Sequence, residues 1–158
     1  MNTIAYDSPV GVLTLTSDGR SMTGLWFEGR GAAESNAEQS SDRILDRACR
    51  ELDSYFEGRL TGFTVPVNPQ GTDFQRRVWS ALQAIPYGVT RSYGDIARVI
   101  GSQSAVRAVG AANGANPIAI IIPCHRVIGA NGSLTGFGGG LDRKRFLLDL
   151  ERGVPALL

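Results

Sequence analysis

The feature that most constrains this chain is an apolar run that ends on three reactive or ionisable residues. Residues 118–122 read Ile-Ala-Ile-Ile-Ile, and a run without a polar side chain has to be buried in a globular protein. Pro123 ends the run, and Cys124, His125 and Arg126 follow it directly. Three such side chains in succession are poor core material. We therefore expect a buried, strand-like segment that presents them at a functional site.

Cys124 and His125 together are a candidate for thiol chemistry. The chain has two cysteines and one histidine, and a thiol needs a base or a positive neighbour because little of it is ionised near neutral pH. Adjacent residues of an extended segment point in opposite directions, so we expect a water to bridge the two side chains. Taken alone, Cys124 is better explained as a small buried hydrophobic residue. The polar residues around it favour chemistry instead.

A glycine-rich loop at 129–140 and a short basic helix at 141–151 follow. Long loops in compact domains are usually functional. Glu151 falls at the C-terminal end of the helix, where the dipole disfavours a carboxylate. An acid placed against the local preference suggests a partner, and we predict that this partner is His125. The predicted buried face of the helix consists of Phe146, Leu147 and Leu150.

Charge is distributed unevenly along the 158 residues, which leave room for one or two small domains. Residues 1–70 hold six basic residues against ten acids, a net of −4, and residues 71–158 hold ten against five, a net of +5. The second part contains the Cys-His pair, and a basic surface is typical of proteins that bind polyanions. Charge alone fits an ordinary solvated surface equally well.

Cysteine usage and the lack of long apolar runs predict a cytoplasmic protein. No apolar run approaches the length of a membrane span, and the first residues lack the features of a secretion signal. Cys49 and Cys124 do not have the paired spacing of a disulfide framework, which favours a reducing compartment. One histidine and two cysteines do not suffice for a typical structural zinc site. We expect neither a metal nor a cofactor.

The first 70 residues predict a small α/β domain. Three strands are expected within residues 1–27, where Leu13 and Leu15 alternate with threonine and valine. Residues 28–42 are rich in glycine, alanine, serine and acids and lack periodicity, so we expect a mobile loop there, with disorder left open.

Asp42 is the predicted N-cap of a helix over residues 43–56, in which apolar residues recur at a spacing of three and four. Cys49 falls within this helix, and we assign it to packing rather than to chemistry. Residues 68–71 read Asn-Pro-Gln-Gly and predict the domain boundary.

Residues 71–158 predict a helical domain, with Thr72 and Ser92 as N-caps of its first two helices. Helices are predicted over residues 73–84, 93–100 and 104–113. The second and third of these are short and joined by a turn that contains Gly101, which makes them a helix-turn-helix candidate. Many helix pairs share this pattern.

Residues 123–128 read Pro-Cys-His-Arg-Val-Ile, which closely resembles the active-site signature of the O6-alkylguanine-DNA alkyltransferases, also called methylated-DNA–protein-cysteine methyltransferases. The resemblance covers the C-terminal half densely and in register. It includes the Phe-Gln of residues 74–75, the Arg-Ala-Val-Gly of 107–110, the Asn-Pro of 116–117, and Glu151. It implies an N-terminal α/β domain of ribonuclease-H-like shape with an antiparallel sheet, followed by a helical domain with a helix-turn-helix.

The resemblance also implies an activity. A protein of this family rotates O6-alkylguanine out of duplex DNA through the minor groove and transfers the alkyl group irreversibly to its own cysteine, here Cys124. Guanine is restored, and each molecule acts once. The expected partner is double-stranded DNA that contains O6-alkylguanine, without a membrane. We expect a monomer, with clustering of copies on DNA left open.

Five residues carry the catalytic roles that the resemblance implies. Cys124 corresponds to the alkyl acceptor, and a relay of Glu151, His125 and a water activates it. Asn116 corresponds to the asparagine that links the recognition helix to the active-site segment. Tyr93 corresponds to the tyrosine that donates a proton to guanine N3 and crowds the 3′ phosphate.

The DNA contacts are implied in the same way. Arg107 corresponds to the arginine that enters the base stack and replaces the extruded base. The other DNA-binding residues implied by the resemblance are Ser92, Tyr93, Ala108 and Arg126.

Four further positions correspond to the guanine pocket. Val127 lies where a backbone carbonyl reads the exocyclic amine, and Gly138 lies where a backbone N–H approaches O6. Phe137 stands where relatives commonly have tyrosine, so the ring is kept and the hydroxyl is lost. Asn113 stands where a human-type relative has methionine, which predicts a more polar wall.

Two other functions remain open from the residues alone. A helix-turn-helix regulator could use Cys124 as a redox sensor, and a Cys-His hydrolase could attack a small acyl substrate. An alkyltransferase-like protein that binds lesions without chemistry is a near relative of the first reading, and the presence of Cys124 speaks against it.

Overall fold

The computed structural model describes residues 1–29, 39–134, 137 and 139–153, so most of the expected loop at 28–42 lies outside the described residues. The chain divides into two compact units. The first contains the described residues up to Gln70 together with Pro117–Ile121, and the second contains Gly71–Asn116 and the described residues from Ile122 onward. The sequence predicts a single boundary after residue 70, which places residues 117–121 with the second domain.

The sheet of the first unit has three antiparallel strands in the order β1-β2-β3. They are β1 (Asn2–Ser8), β2 (Gly11–Ser17) and β3 (Met22–Trp26). Leu15 of β2 lies opposite Ile4 on one side and Leu25 on the other. Leu13 and Leu15 are fully buried, as the alternation along β2 predicts. The three strands predicted within residues 1–27 are confirmed.

Helix α1 (Arg43–Phe56) packs against this sheet. The predicted N-cap is confirmed, because Asp42 Oδ1 accepts the backbone N–H of Leu45 at 2.9 Å. Its other carboxylate oxygen accepts hydrogen bonds from Asn2 and Ser17 on the strands. The cap therefore also holds the start of the helix against the sheet. The buried face of α1 consists of Leu45, Ala48, Leu52 and Tyr55.

The apolar run at 118–122 is buried, as predicted, but it is not a strand. Leu25 of β3 donates to Pro117 and accepts from Ala119, and the chain then turns sharply. Ile121 donates to Ala119, which places Ile120 at the centre of a γ-turn with φ 70°. A β-branched residue at positive φ is strained. The prediction of an extended segment is therefore wrong beyond Ile118.

The second unit is built from four α-helices among its described residues. They are α2 (Asp73–Gln83), α3 (Tyr93–Val99), α4 (Val106–Gly114) and α5 (Leu141–Glu151). Short parallel strands β4 (Arg91–Ser92) and β5 (Val127–Ile128) pair beside them. Thr72 and Ser92 form capping boxes at α2 and α3, so both predicted caps are confirmed. The helix pair α3–α4 matches the predicted helix-turn-helix.

The helices of the second unit share a core around Trp79 of α2. Its indole Nε1 donates to the backbone carbonyl of Ala112 at 2.8 Å, which ties α2 to α4. The apolar side chains buried in this unit include Val78, Leu82, Ile96, Ala97, Val109, Leu147 and Leu148. Within the described ranges, no helix is both long enough and apolar enough to cross a membrane.

Candidate active site

Cys124, His125 and Arg126 form a single turn of 3-10 helix that begins after Pro123. The expected extended geometry is wrong here, because Arg126 donates to the carbonyl of Pro123 and closes the turn. A 3-10 helix has three residues per turn, so consecutive side chains still diverge by about 120°. The Cys124 and His125 side chains therefore leave the backbone in different directions. The sequence predicts this divergence too, but from an extended segment and not from a 3-10 turn. Cys124 is 6% exposed and His125 is fully buried.

Glu151 holds His125 by a short hydrogen bond. Oε2 of Glu151 lies 2.6 Å from Nε2 of His125, and both side chains are buried. The predicted pairing of these two residues is confirmed. Because a carboxylate only accepts, Nε2 carries the proton and Nδ1 is left as an acceptor. Among the described residues, His125 Nδ1 is one of two buried side-chain polar atoms without a hydrogen-bond partner.

Arg126 also binds Glu151, and this corrects its expected role in DNA binding. Its Nε lies 2.8 Å from Oε1 and its Nη2 lies 3.0 Å from Oε2. Nη1 donates to the carbonyl of Ile85, and the guanidinium lies 5.8 Å from the centre of the Tyr87 ring. The side chain is 8% exposed. A guanidinium committed in this way to buried acceptors is not available to a DNA phosphate.

Burial favours the uncharged forms of Cys124 and His125. It raises the pKa of the Cys124 thiol, while a hydrogen bond from Asn116 and the charge of Lys144 act to lower it. Burial also lowers the pKa of His125, against the opposing effect of Glu151. At neutral pH the site therefore contains a thiol and a neutral imidazole that is free to take a proton.

Lys144 is a further residue of the site, and it was not among the predicted site residues. It is fully buried, and its Nζ donates to the carbonyl of Val127 at 2.6 Å. Burial lowers the pKa of Lys144 to about 8. The ammonium also lies 5.9 Å from the centre of the Phe137 ring, one of the expected pocket residues.

The buried face of α5 differs from the predicted one. The residues buried on this helix are Lys144, Leu147, Leu148 and Glu151. Phe146 and Leu150 are only half-buried. The spacing of three, four and seven residues from position 144 is a helical face, so this signal was present in the sequence. The two charged members hide it from a search for apolar periodicity.

Two asparagines from the end of α4 support the cysteine turn. Asn116 donates to the carbonyl of Ile122 at 2.8 Å and hydrogen-bonds the Cys124 side chain. Asn113 donates to the carbonyl of Cys124 at 3.3 Å, and its own Oδ1 is the other buried polar atom without a partner within the described ranges. Both side chains are buried. The expected link between α4 and the active-site segment is thus present in the structure.

The remaining predicted residues lie on α3 and α4 or in the glycine-rich loop. Tyr93 is half-buried at the first position of α3, and Ser92 is occupied in capping that helix. Arg107 and Ala108 are exposed in the first turn of α4. Gly138 lies outside the described residues.

The second cysteine, Cys49, lies in the first unit. Cys49 is half-buried on α1 in the first unit, and burial raises the pKa of its thiol. In the part of the chain that the structure describes, no three His, Cys, Asp or Glu side chains cluster closely enough to hold a metal ion.

Comparison with known protein families accounts for nearly the whole chain. Residues 1–69 match the family model described as the 6-O-methylguanine DNA methyltransferase, ribonuclease-like domain. Residues 73–153 match the model for the DNA binding domain of the same proteins. The chain belongs to the 6-O-methylguanine DNA methyltransferase family.

Similar proteins within this methyltransferase family come from bacteria and archaea. The methylated-DNA–protein-cysteine methyltransferase of Mycobacterium tuberculosis is 54% identical over 152 residues, which are 95% of this chain and 92% of that protein. The protein of the same name from Methanosarcina acetivorans is 49% identical over 148 residues, or 92% and 95% of the two chains. Among solved structures, Mycobacterium tuberculosis OGT in complex with DNA is 51% identical, with a TM-score of 0.90 over 98% of this chain and 94% of that one.

Proposed function

We propose that this protein repairs DNA by transferring the alkyl group of O6-alkylguanine to its own Cys124, as a methylated-DNA–[protein]-cysteine S-methyltransferase. The observation that carries this proposal is the buried turn at Cys124, on which His125 is held by Glu151 in a chain of this family. A buried, activated thiol fits attack on a saturated carbon, which needs a strong nucleophile and a dry site.

The thiol proton leaves Cys124 through His125. Nδ1 of the imidazole is the available acceptor, and a water bridges it to the sulfur because the two side chains diverge. Glu151 fixes the tautomer and stabilises the imidazolium that forms. Arg126 keeps that carboxylate ionised and oriented, since a guanidinium pairs with both of its oxygens. Asn116 and Lys144 favour the thiolate.

The transfer itself is a displacement at the alkyl carbon. The sulfur of Cys124 forms a bond to that carbon while the carbon–O6 bond breaks, and the electrons of that bond remain on guanine. Tyr93 donates a proton to guanine N3, so that the base leaves in its neutral form. The Val127 carbonyl reads the exocyclic amine of guanine. Lys144 holds this carbonyl in place by a hydrogen bond. The carbonyl oxygen can accept both bonds because it has two lone pairs.

Residues of the second unit shape the guanine pocket and extrude the base. Asn113 and Phe137 form the polar and aromatic walls. A base inside duplex DNA is out of reach of a buried thiol, and its rotation costs a few kcal/mol. Arg107 offsets this cost by entering the stack, for which its exposed position at the start of α4 is suited.

Ser92, Tyr93 and Ala108 contact the backbone of the DNA through its minor groove. Minor-groove readout is degenerate, which suits a repair protein that must act at any sequence. The second domain, residues 71–158, thus carries DNA binding and alkyl acceptance, and the first domain, residues 1–70, supports it. The protein acts as a monomer in a reducing, cytoplasmic compartment, and copies of it can cluster on DNA.

Duplex DNA with a labelled methyl group on O6 of one guanine tests the proposal against its alternatives. We expect the label on the protein and an unmodified guanine in the DNA. A Cys-His hydrolase would instead release small products repeatedly. A sequence-specific regulator would bind chosen operators and take up no label.

A further inference from the structure

The first unit contains a cluster of arginines that the proposed function does not use. A cleft of about 550 Å³ lies between the β2–β3 turn and α1. Its charged lining consists of Arg20, Arg43, Arg47 and Arg50 with a single acid, Asp46. The sequence of this unit up to residue 70 has a net charge of −4. Four of its six arginines nevertheless line this one cleft.

Three of these arginines form no ion pair at contact distance with a described residue, although the charge of Arg20 acts on the nearby Asp18. Arg47 is committed, because it pairs with Glu51 at 3.2 Å and donates to Thr64. Arg20, Arg43 and Arg50 form no ion pair and no side-chain hydrogen bond with any described residue. All three are exposed. The cleft therefore presents exposed guanidinium groups, in excess over its single acid, to an external ligand.

The arginines of α1 are placed against the preferences of the helix itself. Arg43 is the first residue of α1, where the positive end of the helix dipole disfavours a cation. Arg43, Arg47 and Arg50 follow one another at a spacing of four and three residues, so like charges are neighbours on one face. Nothing in the packing of the first unit requires Arg43 or Arg50, because both lie outside the buried face of α1.

The length of the stripe fits a polymer of phosphates. Seven residues of α-helix separate Arg43 from Arg50, a rise of about 10.5 Å. One strand of DNA presents a negative charge about every 3.4 Å along its axis. The stripe is therefore long enough to follow several consecutive phosphates, and guanidinium groups match phosphate oxygens in pairs.

We propose that this arginine cleft binds the phosphodiester backbone of DNA, as a second DNA contact in addition to α3 and α4. Arg43 and Arg50 make the contacts at the two ends of the stripe, and Arg20 adds a third from the β2–β3 turn. The inference does not depend on the chemistry at Cys124. It adds non-specific affinity and does not alter which base is repaired.

The salt dependence of binding to an undamaged duplex tests the proposal. The slope of log K against log salt concentration is negative, and each lost phosphate contact reduces its magnitude by about 0.9. We expect this loss in Arg43→Gln and in Arg50→Gln, and about 1.8 in the double variant if both contacts are lost. Glutamine is a good helix former, so α1 stays folded, which circular dichroism verifies. Transfer from free O6-methylguanine base, which has no phosphate, stays at the wild-type rate.

Arg59→Gln is the matched control, since Arg59 is an exposed arginine of the same unit outside the cleft. Its slope should equal that of the wild type. An unchanged slope in Arg43→Gln and Arg50→Gln overturns the proposal. An equal loss of slope in all three variants also overturns it, because that loss would be an effect of net charge. If the variants lose only the cooperativity of binding, the cleft contacts the acidic surface of a second copy and not DNA. That result also overturns the proposal. Absence of transfer in the wild type would bear on Cys124 alone.

Discussion

The carboxylate of Glu151 lies 2.6 Å from the imidazole of His125, although Glu151 is the last residue of α5. A helix C-terminus favours a cation, so the carboxylate is held there by its partners. Arg126 supplies the compensating charge through two hydrogen bonds. Glu151 joins the other two side chains, so its removal takes a buried partner from both His125 and Arg126.

Replacement of Glu151 should affect both stability and transfer. Glu151→Gln leaves the Arg126 charge buried without a counter-ion, and we expect a loss of about 3 kcal/mol in the free energy of unfolding. It also replaces the charged acceptor of His125 with a neutral amide, which no longer stabilises the imidazolium, so transfer should slow on the order of 10²-fold. Urea unfolding and single-turnover kinetics measure the two effects. Asp149→Asn on the same helix is the control, and an equal loss there would mean that the pairing contributes nothing particular.

His125 should make stability depend on pH below about 6.5. Burial lowers its pKa in the folded protein below the usual value of about 6.5. As the pH falls through this window the unfolded chain gains a proton that the folded chain does not, so stability falls by up to about 1.4 kcal/mol per pH unit. His125→Gln should remove this dependence, because the chain has no other histidine. If the stability of the two proteins depends on pH in the same way, His125 is not the source of the pH dependence.

Lys144 should make the free energy of unfolding depend on pH in the alkaline range. Its folded pKa of about 8 lies below the usual value of about 10.4, so between these values the unfolded chain holds the extra proton. The difference in unfolding free energy between wild type and Lys144→Met should therefore rise across this range. The two thiols, whose pKa values burial raises, act in the opposite direction in both proteins.

Transfer at neutral pH should also be slower in Lys144→Met, because a positive charge beside the Cys124 thiolate is lost. Arg145→Met changes an exposed neighbour on the same helix and is the control for both measurements. Wild-type transfer in Lys144→Met would limit Lys144 to a structural role.

Arg107→Ala should separate base extrusion from chemistry. Loss of stacking support should cost roughly 1–3 kcal/mol in the repair of duplex DNA, by analogy with base–aromatic contacts. Transfer from free O6-alkylguanine needs no extrusion and should change less. Arg107 is exposed, so the melting temperature should stay the same. Equal losses on the two substrates would mean that Arg107 acts on the pocket instead.

Local signals account for what the sequence predicts well. Asp42, Thr72 and Ser92 are N-caps because each side chain bonds a backbone N–H three residues away, and this is visible in sequence. The pairing of Glu151 with His125 is also predictable, because a carboxylate at a helix C-terminus indicates a missing partner.

Long-range partners account for what the sequence does not predict. The family resemblance implies a DNA contact at Arg126, but its guanidinium is held by the carbonyl of Ile85, 41 residues away. Lys144 is a buried cation because the carbonyl of Val127 reaches it. The turn at Ile120 has the same origin, since pairing with Leu25 ends at Ala119. No local preference of these residues indicates the contact that decides their role.

The most direct test of the account is the stoichiometry and position of the transferred group. The protein is titrated with a large excess of duplex that carries O6-methylguanine, and the spent protein is mapped by peptide mass spectrometry. A thioether at Cys124 has no leaving group that water can displace, so repair should stop at one methyl group per protein, on the peptide that contains Cys124. Cys49→Ser should behave like the wild type and Cys124→Ser should transfer nothing. Repaired guanine in several-fold excess over protein, or a methyl group on Cys49, would contradict the account.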